Sequence, residues 1–108
     1  MGQINRLITI SVFIAISMFS HSVWSLDAAE LYKERTCIAC HGAEGRVPVM
    51  SEYPKIAGLA EVYLLAQMKD IKNGSRNNSH AVAMKNIMHL ISDEEMASIA
   101  NWLASLPR

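Results

Sequence analysis

The chain has 108 residues, with ten basic and ten acidic side chains and no formal net charge at pH 7. That length holds one domain, the charge balance has no basic stripe of the kind that binds nucleic acid, and two cysteines cannot build a disulfide scaffold.

The first segment reads as a leader. Arg6 precedes an apolar run from Leu7 to Phe19, and small and polar residues follow to Val23-Trp24-Ser25. A positive start, a short apolar stretch and small residues at the end are the pattern of a secretory signal peptide. The run is broken by Ser20, His21 and Ser22, short of the roughly 20 apolar residues that span a bilayer. Residues 1–25 are therefore expected to be removed on export to the periplasm, with cleavage after Ser25 or, alternatively, Ser22. His21 goes with them, and residues 26–108 remain as a single domain that does not span the membrane. Removing 25 of 108 residues leaves 83, with nine basic and ten acidic side chains. A chain this short buries too little surface to be robust alone and calls for a disulfide, a metal or another staple.

Ala28 to Arg35 forms a short amphipathic helix carrying Leu31 and Tyr32, and it runs directly into Cys37-Ile38-Ala39-Cys40-His41. C-x-x-C-H is the spacing that attaches a c-type haem. Two thiols three positions apart add to the two vinyl groups of one porphyrin, and the adjacent imidazole lies beneath the iron. Thioredoxin-like chemistry needs a surrounding alternation of strands and helices, which the flanking residues do not show. A structural zinc site needs two more ligands, and His80 and His89 are nine apart where a zinc pair is usually about three to five apart. Haem attached through Cys37 and Cys40, with His41 on the iron, is the expectation. The haem is also the missing staple, and without it the chain should be weakly structured.

Gly42, Gly45, Pro48 and Pro54 break regular structure as far as Gly58. From Ala60 to about Asn73 the residues Val62, Leu65, Met68 and Ile71 recur near helical spacing, and Gly74 stands where a helix stops. Ser75 to His80 reads as loop, and Ala81 to His89 as loop or a single helical turn. Ser92-Asp93-Glu94-Glu95 is a capping box. It opens a last helix whose stripe of Met96, Ile99, Ala100, Leu103 and Leu106 runs to Pro107.

Leu31-Tyr32, Cys37 to Gly42, Tyr53-Pro54-Lys55-Ile56-Ala57-Gly58, Tyr63-Leu64 with Gln67, Gly74-Ser75-Arg76, a methionine before the capping box, and the terminal Ala-x-x-x-Ala-x-Trp-Leu helix form an ordered set. In that order and spacing the chain resembles class I c-type cytochromes, in particular the short monohaem cytochromes of the bacterial periplasm and their relatives in two-haem forms. The resemblance covers nearly all of residues 28–106. It implies an all-α fold of three to four short helices packed around one covalently attached haem, with the first and last helices crossing near its edge. It implies that Pro54 accepts a hydrogen bond from His41, that Ile56 packs on the haem face, and that Trp102 packs near Tyr32. Tyr32 stands five residues before Cys37 where many relatives have four, which bears on the packing angle of the first helix.

The sixth iron ligand decides the chemistry. The resemblance points to Met84, eight residues before Ser92. Met88, one turn on, Met50 in the loop, and His80 or His89 are the rivals, while Met68 and Met96 lie on apolar stripes as core filler. A thioether favours ferrous iron and raises the reduction potential. Tyr53, Arg76 and Asn77 are candidates to reach a propionate. The expected function is a periplasmic electron carrier, not an enzyme. It would exchange single electrons with donor and acceptor proteins at a haem edge framed by Ile38, Ala39, Val47, Val49 and the Ala81–Ala83 segment. The alternatives are a haem subunit of a periplasmic dehydrogenase or oxidase, and a five-coordinate gas-binding or peroxidatic cytochrome.

Overall fold

A computed structural model describes residues 27–108. The expected leader, residues 1–25, lies outside the described residues. Five α-helices carry the fold: α1 (Ala28–Glu34), α2 (Ile38–His41), α3 (Glu61–Asn73), α4 (Ala81–Met88) and α5 (Asp93–Ser105), with a turn of 3-10 helix over Ala43–Gly45 between α2 and α3. Among the described residues there is no strand, in agreement with the all-α expectation. The single-turn α2 and the two-turn α4 take the helix count beyond three to four.

Asp27 opens α1 by accepting the Glu30 amide, 2.9 Å away. The helix closes in a Schellman turn, in which the Thr36 amide bonds the Lys33 carbonyl and the Cys37 amide bonds the Tyr32 carbonyl. Thr36 takes the left-handed position of that turn, at φ 62°, where glycine is the usual occupant. The five-residue interval from Tyr32 to Cys37 is closed by this 6→1 bond. Tyr32 is buried, with its ring centroid 5.3 Å from that of Trp102 on α5.

α5 is the central element. Its capping box is complete, because Ser92 accepts the Glu95 amide and the Glu95 carboxylate accepts the Ser92 amide, both at 3.1 Å. Met96, Ile99, Ala100 and Leu103 are buried along one stripe, and α1 and α3 pack against it. Leu106 is partly buried at the helix end. Arg35 ties α1 to the start of α5 by a two-pronged contact with Glu95, Nη2 to Oε1 at 2.6 Å and Nε to Oε2 at 3.1 Å.

α3 ends at Gly74, which is left-handed at φ 86°. It buries Leu64, Met68 and Ile71, whereas Val62 is 83% exposed. The expected stripe was thus one residue out of phase at its start. Ala81–Met88 is a two-turn helix rather than a loop or a single turn, held to α3 by Ala81 and Met88. Its apolar side chains bury against α3 although no side chain caps its first turn.

Candidate functional site: a crevice between the Cys-x-x-Cys-His turn and α4

His41 ends α2, one turn after Cys37, and Gly42 stops the helix at φ 78°, ψ 178°, a conformation essentially restricted to glycine. A Cβ at Gly42 would lie 2.0 Å from the Val47 carbonyl oxygen. The Tyr32 hydroxyl donates to the Gly42 carbonyl at 2.7 Å, so the first helix holds the residue that follows the imidazole. Burial raises the Tyr32 phenol far above its ordinary value, keeping it an O–H donor.

His41 is buried, and its Nδ1 lies 2.9 Å from the Pro54 carbonyl oxygen. A carbonyl can only accept, so Nδ1 carries the proton and Nε2 keeps its lone pair for a metal. Burial lowers the pKa of the ring, and the bond to Pro54 partly offsets that. The neutral form is the one that ligates. The Pro54 carbonyl is itself held in place. The amides of Ile56 and Ala57 donate to Gly45, and the Gly58 amide donates to Leu103 on α5 at 2.9 Å. The loop that carries the acceptor of the imidazole is thus tied both to the 3-10 turn and to the last helix.

A crevice of about 380 Å³ opens beside this turn. Cys37, Cys40, His41, Pro54 and Ile56 line it on one side, and Met84 and Met88 of α4 also line it. Leu59, Leu64, Met68 and Ile71 give it apolar walls. Both cysteines are free thiols, Cys37 half-buried and Cys40 exposed, and burial pushes the Cys37 thiol up to about 11. The size is that of a small-molecule or cofactor site. Two unpaired thiols at the rim, a neutral imidazole with a free nitrogen and apolar walls fit a flat, covalently anchored macrocycle with an iron centre. Cys37 and Cys40 would hold its edge and His41 its metal.

Over residues 25–107 the chain matches the family described as Cytochrome c. It is 35% identical over 99 residues to a cytochrome c4 of Pseudomonas aeruginosa, covering 92% of this chain and 47% of that protein. The chain belongs to the cytochrome c family. With that membership comes covalently bound haem c as cofactor. A cytochrome c-553 of Nitratidesulfovibrio vulgaris is 29% identical over 100 residues, covering 93% of this chain and 96% of that protein. A thiosulfate dehydrogenase electron acceptor of Thiomonas intermedia is 29% identical over 101 residues, covering 94% of this chain and 44% of that protein. The chain thus spans about half the length of the cytochrome c4 relatives it matches.

The other candidates fall as follows. Tyr53, Arg76 and His80 line the crevice, with Asn78 and Ser79 in place of Asn77. Arg76 donates to Gln67 at 3.0 Å. Met50 is exposed, His89 is exposed at the end of α4, and neither lines the crevice. Met68 and Met96 are buried in the core, as expected of filler, although Met68 also reaches the crevice wall. Ile38, Val47, Val49 and Val82 are exposed apolar residues, and Ala81 is buried. Sequence reasoning missed the pairing of Tyr53 with His80, whose rings meet edge to face with centroids 5.2 Å apart. Nothing in their spacing, across a helix and two loops, announces it.

Proposed function

We propose that this protein is an exported one-electron carrier whose haem c is anchored by Cys37 and Cys40 and ligated by His41 and Met84. The observation that carries the reading is that a single crevice is lined by both thiols, the buried imidazole and the Met84 side chain. Bound haem c supplies the one-electron couple. The chain's residues do the rest. His41 offers Nε2 because Pro54 holds its other nitrogen, and a hydrogen bond there also adjusts ligand basicity. Met84 is favoured over Met88 because it is half-exposed at the crevice, whereas Met88 is 2% exposed and packed into the core. The aliphatic walls keep water from the ring and so favour the less charged, reduced state.

Export with removal of residues 1–25 belongs to the same reading, and the family match beginning at residue 25 supports it. No helix among the described residues is long and apolar enough to cross a membrane. Partners are redox proteins that meet the exposed apolar residues Ile38, Val47 and Val49 in small, fast-dissociating contacts of under about 1,200 Å². The name of the Thiomonas intermedia relative supports a dehydrogenase as the class of donor.

The test is the absorption spectrum of the exported holoprotein, oxidised and reduced, for wild type and Met84→Ala, with carbon monoxide added to each reduced sample. A low-spin spectrum with a weak far-red sulfur-to-iron band and no carbon monoxide response in the wild type, with both features altered in the variant, is the expected result. An unchanged variant, or a wild type that takes up carbon monoxide readily, overturns the ligand set.

A further inference from the structure

Residues 74–80 cross from α3 to α4 and end on a local conflict. Ser79 is left-handed at φ 51°, and His80 occupies the N-cap of α4 without making a side-chain cap. Serine, threonine, aspartate or asparagine would satisfy that helix end better, and a left-handed serine is unfavourable by itself. The same turn brings the His80 imidazole edge to face with Tyr53, at an interplanar angle of 84°. Both side chains line the crevice. Local rules broken together at one place call for a purpose elsewhere.

The pair joins two segments that no other side-chain hydrogen bond or ion pair links among the described residues. Tyr53 immediately precedes Pro54, whose carbonyl orients His41. The His80 carbonyl accepts the Met84 amide at 3.1 Å, in the first turn of α4. The far end of α4 is fixed by Met88 in the core; its near end has only Ala81 buried. We propose that Tyr53 and His80 are positioning residues that latch the mouth of the crevice, holding the turn that carries Met84 against the loop that orients His41. The proposal rests on Met84 being the sixth ligand. Opening of the latch lets the Met84 side chain withdraw and admits an outside ligand, so the latch sets how fast one enters.

The probe is free imidazole, added to the ferric holoprotein while loss of the far-red sulfur-to-iron band is followed by stopped flow. An edge-to-face pair of this kind corresponds to about a threefold to tenfold change in the opening equilibrium. His80→Ala and Tyr53→Leu should each speed imidazole entry by that factor at low imidazole, where the rate is proportional to the opening equilibrium. His80→Phe, which keeps a ring, should stay near the wild-type rate, and the double variant should be no faster than either single one. Wild-type rates in both single variants, or effects that multiply in the double variant, overturn the latch. Met84→Ala separates the two readings: a variant that retains the band removes Met84 as ligand, whereas loss of the band there with no acceleration in His80→Ala removes the latch alone.

Discussion

Replacing Tyr32 by phenylalanine isolates one bond that joins the first helix to the Cys-x-x-Cys-His turn. The hydroxyl donates to the Gly42 carbonyl at 2.7 Å, with the side chain 1% exposed, and phenylalanine keeps the ring against Trp102. An acceptor stripped of its only buried partner would cost up to about 3 kcal/mol. Gly42 is not stripped, because the Gly45 amide also donates to its carbonyl, at 3.1 Å. The loss is therefore the net worth of one neutral hydrogen bond, about 1 kcal/mol. In a domain of this size that lowers the melting temperature by about 4–8 °C. Thermal unfolding of the holoprotein followed by far-ultraviolet circular dichroism measures it. Tyr32→Leu, which also loses the Trp102 contact and leaves a cavity, should cost about 3 kcal/mol. An unchanged melting temperature in Tyr32→Phe, or a fall as large as that of Tyr32→Leu, refutes the bookkeeping of the two acceptor bonds.

Gly42→Ala combines a forbidden backbone conformation with a Cβ 2.0 Å from the Val47 oxygen, and should lose at least about 3 kcal/mol; the yield of covalently loaded protein on export, read as haem-stained bands, should collapse. Thr36→Gly relieves a β-branched residue at φ 62° and should gain about 0.5–1 kcal/mol after the added freedom of the unfolded chain is discounted. Urea unfolding checks it, and a destabilised variant would show that the Schellman turn is not strained. Glu95 ionises more readily in the folded chain than in the unfolded one, first because Arg35 hydrogen-bonds it and then because the Ser92 amide does. Its contribution is thus fully present above the ordinary carboxylate value of 4.5 and disappears as pH falls through the lower folded value. Glu95→Gln keeps an oxygen for the Ser92 amide but gives up the ion pair with Arg35, so it should be less stable by about 0.5 kcal/mol at pH 7, and the gap should close in acid when denaturation curves are compared from pH 7 to 3.

The parts of the molecule that were legible in the sequence are those where local signals and tertiary packing agree. The capping box at Ser92 and the stripe from Met96 to Leu103 stand as read, because an amphipathic helix with a complete start signal has one solution. Gly74 ends α3 for the same reason. α4 was obscure because its N-cap is a histidine, and the side chain that would announce a helix start is engaged with Tyr53 instead. Val62 fits a helical period but lies exposed in the first turn of α3, so periodicity alone could not fix the phase. In the site, the thiols and imidazole were legible because their chemistry depends on short spacing. The support for Pro54 from Gly45 and, through Gly58, from Leu103 was not, since those bonds connect loops whose geometry has no local pattern.

The joint between α1 and α5 has a consequence for the order of events as the chain is made. Arg35 and Glu95 stand 60 positions apart, and the Cys-x-x-Cys-His turn, α3 and α4 all lie between them. Closing a loop that long costs entropy before any contact repays it. Early in synthesis the cysteines are already present, but the helix that receives Tyr32 and anchors Gly58 has not yet appeared. A chain that stops short of Leu103 has its thiols, its histidine and the Gly45 ties to the Pro54 loop, but it still lacks the acceptor of the Gly58 amide. The last helix thus adds the final tie to a loop whose first tie, to Gly45, is available as soon as that segment has been made.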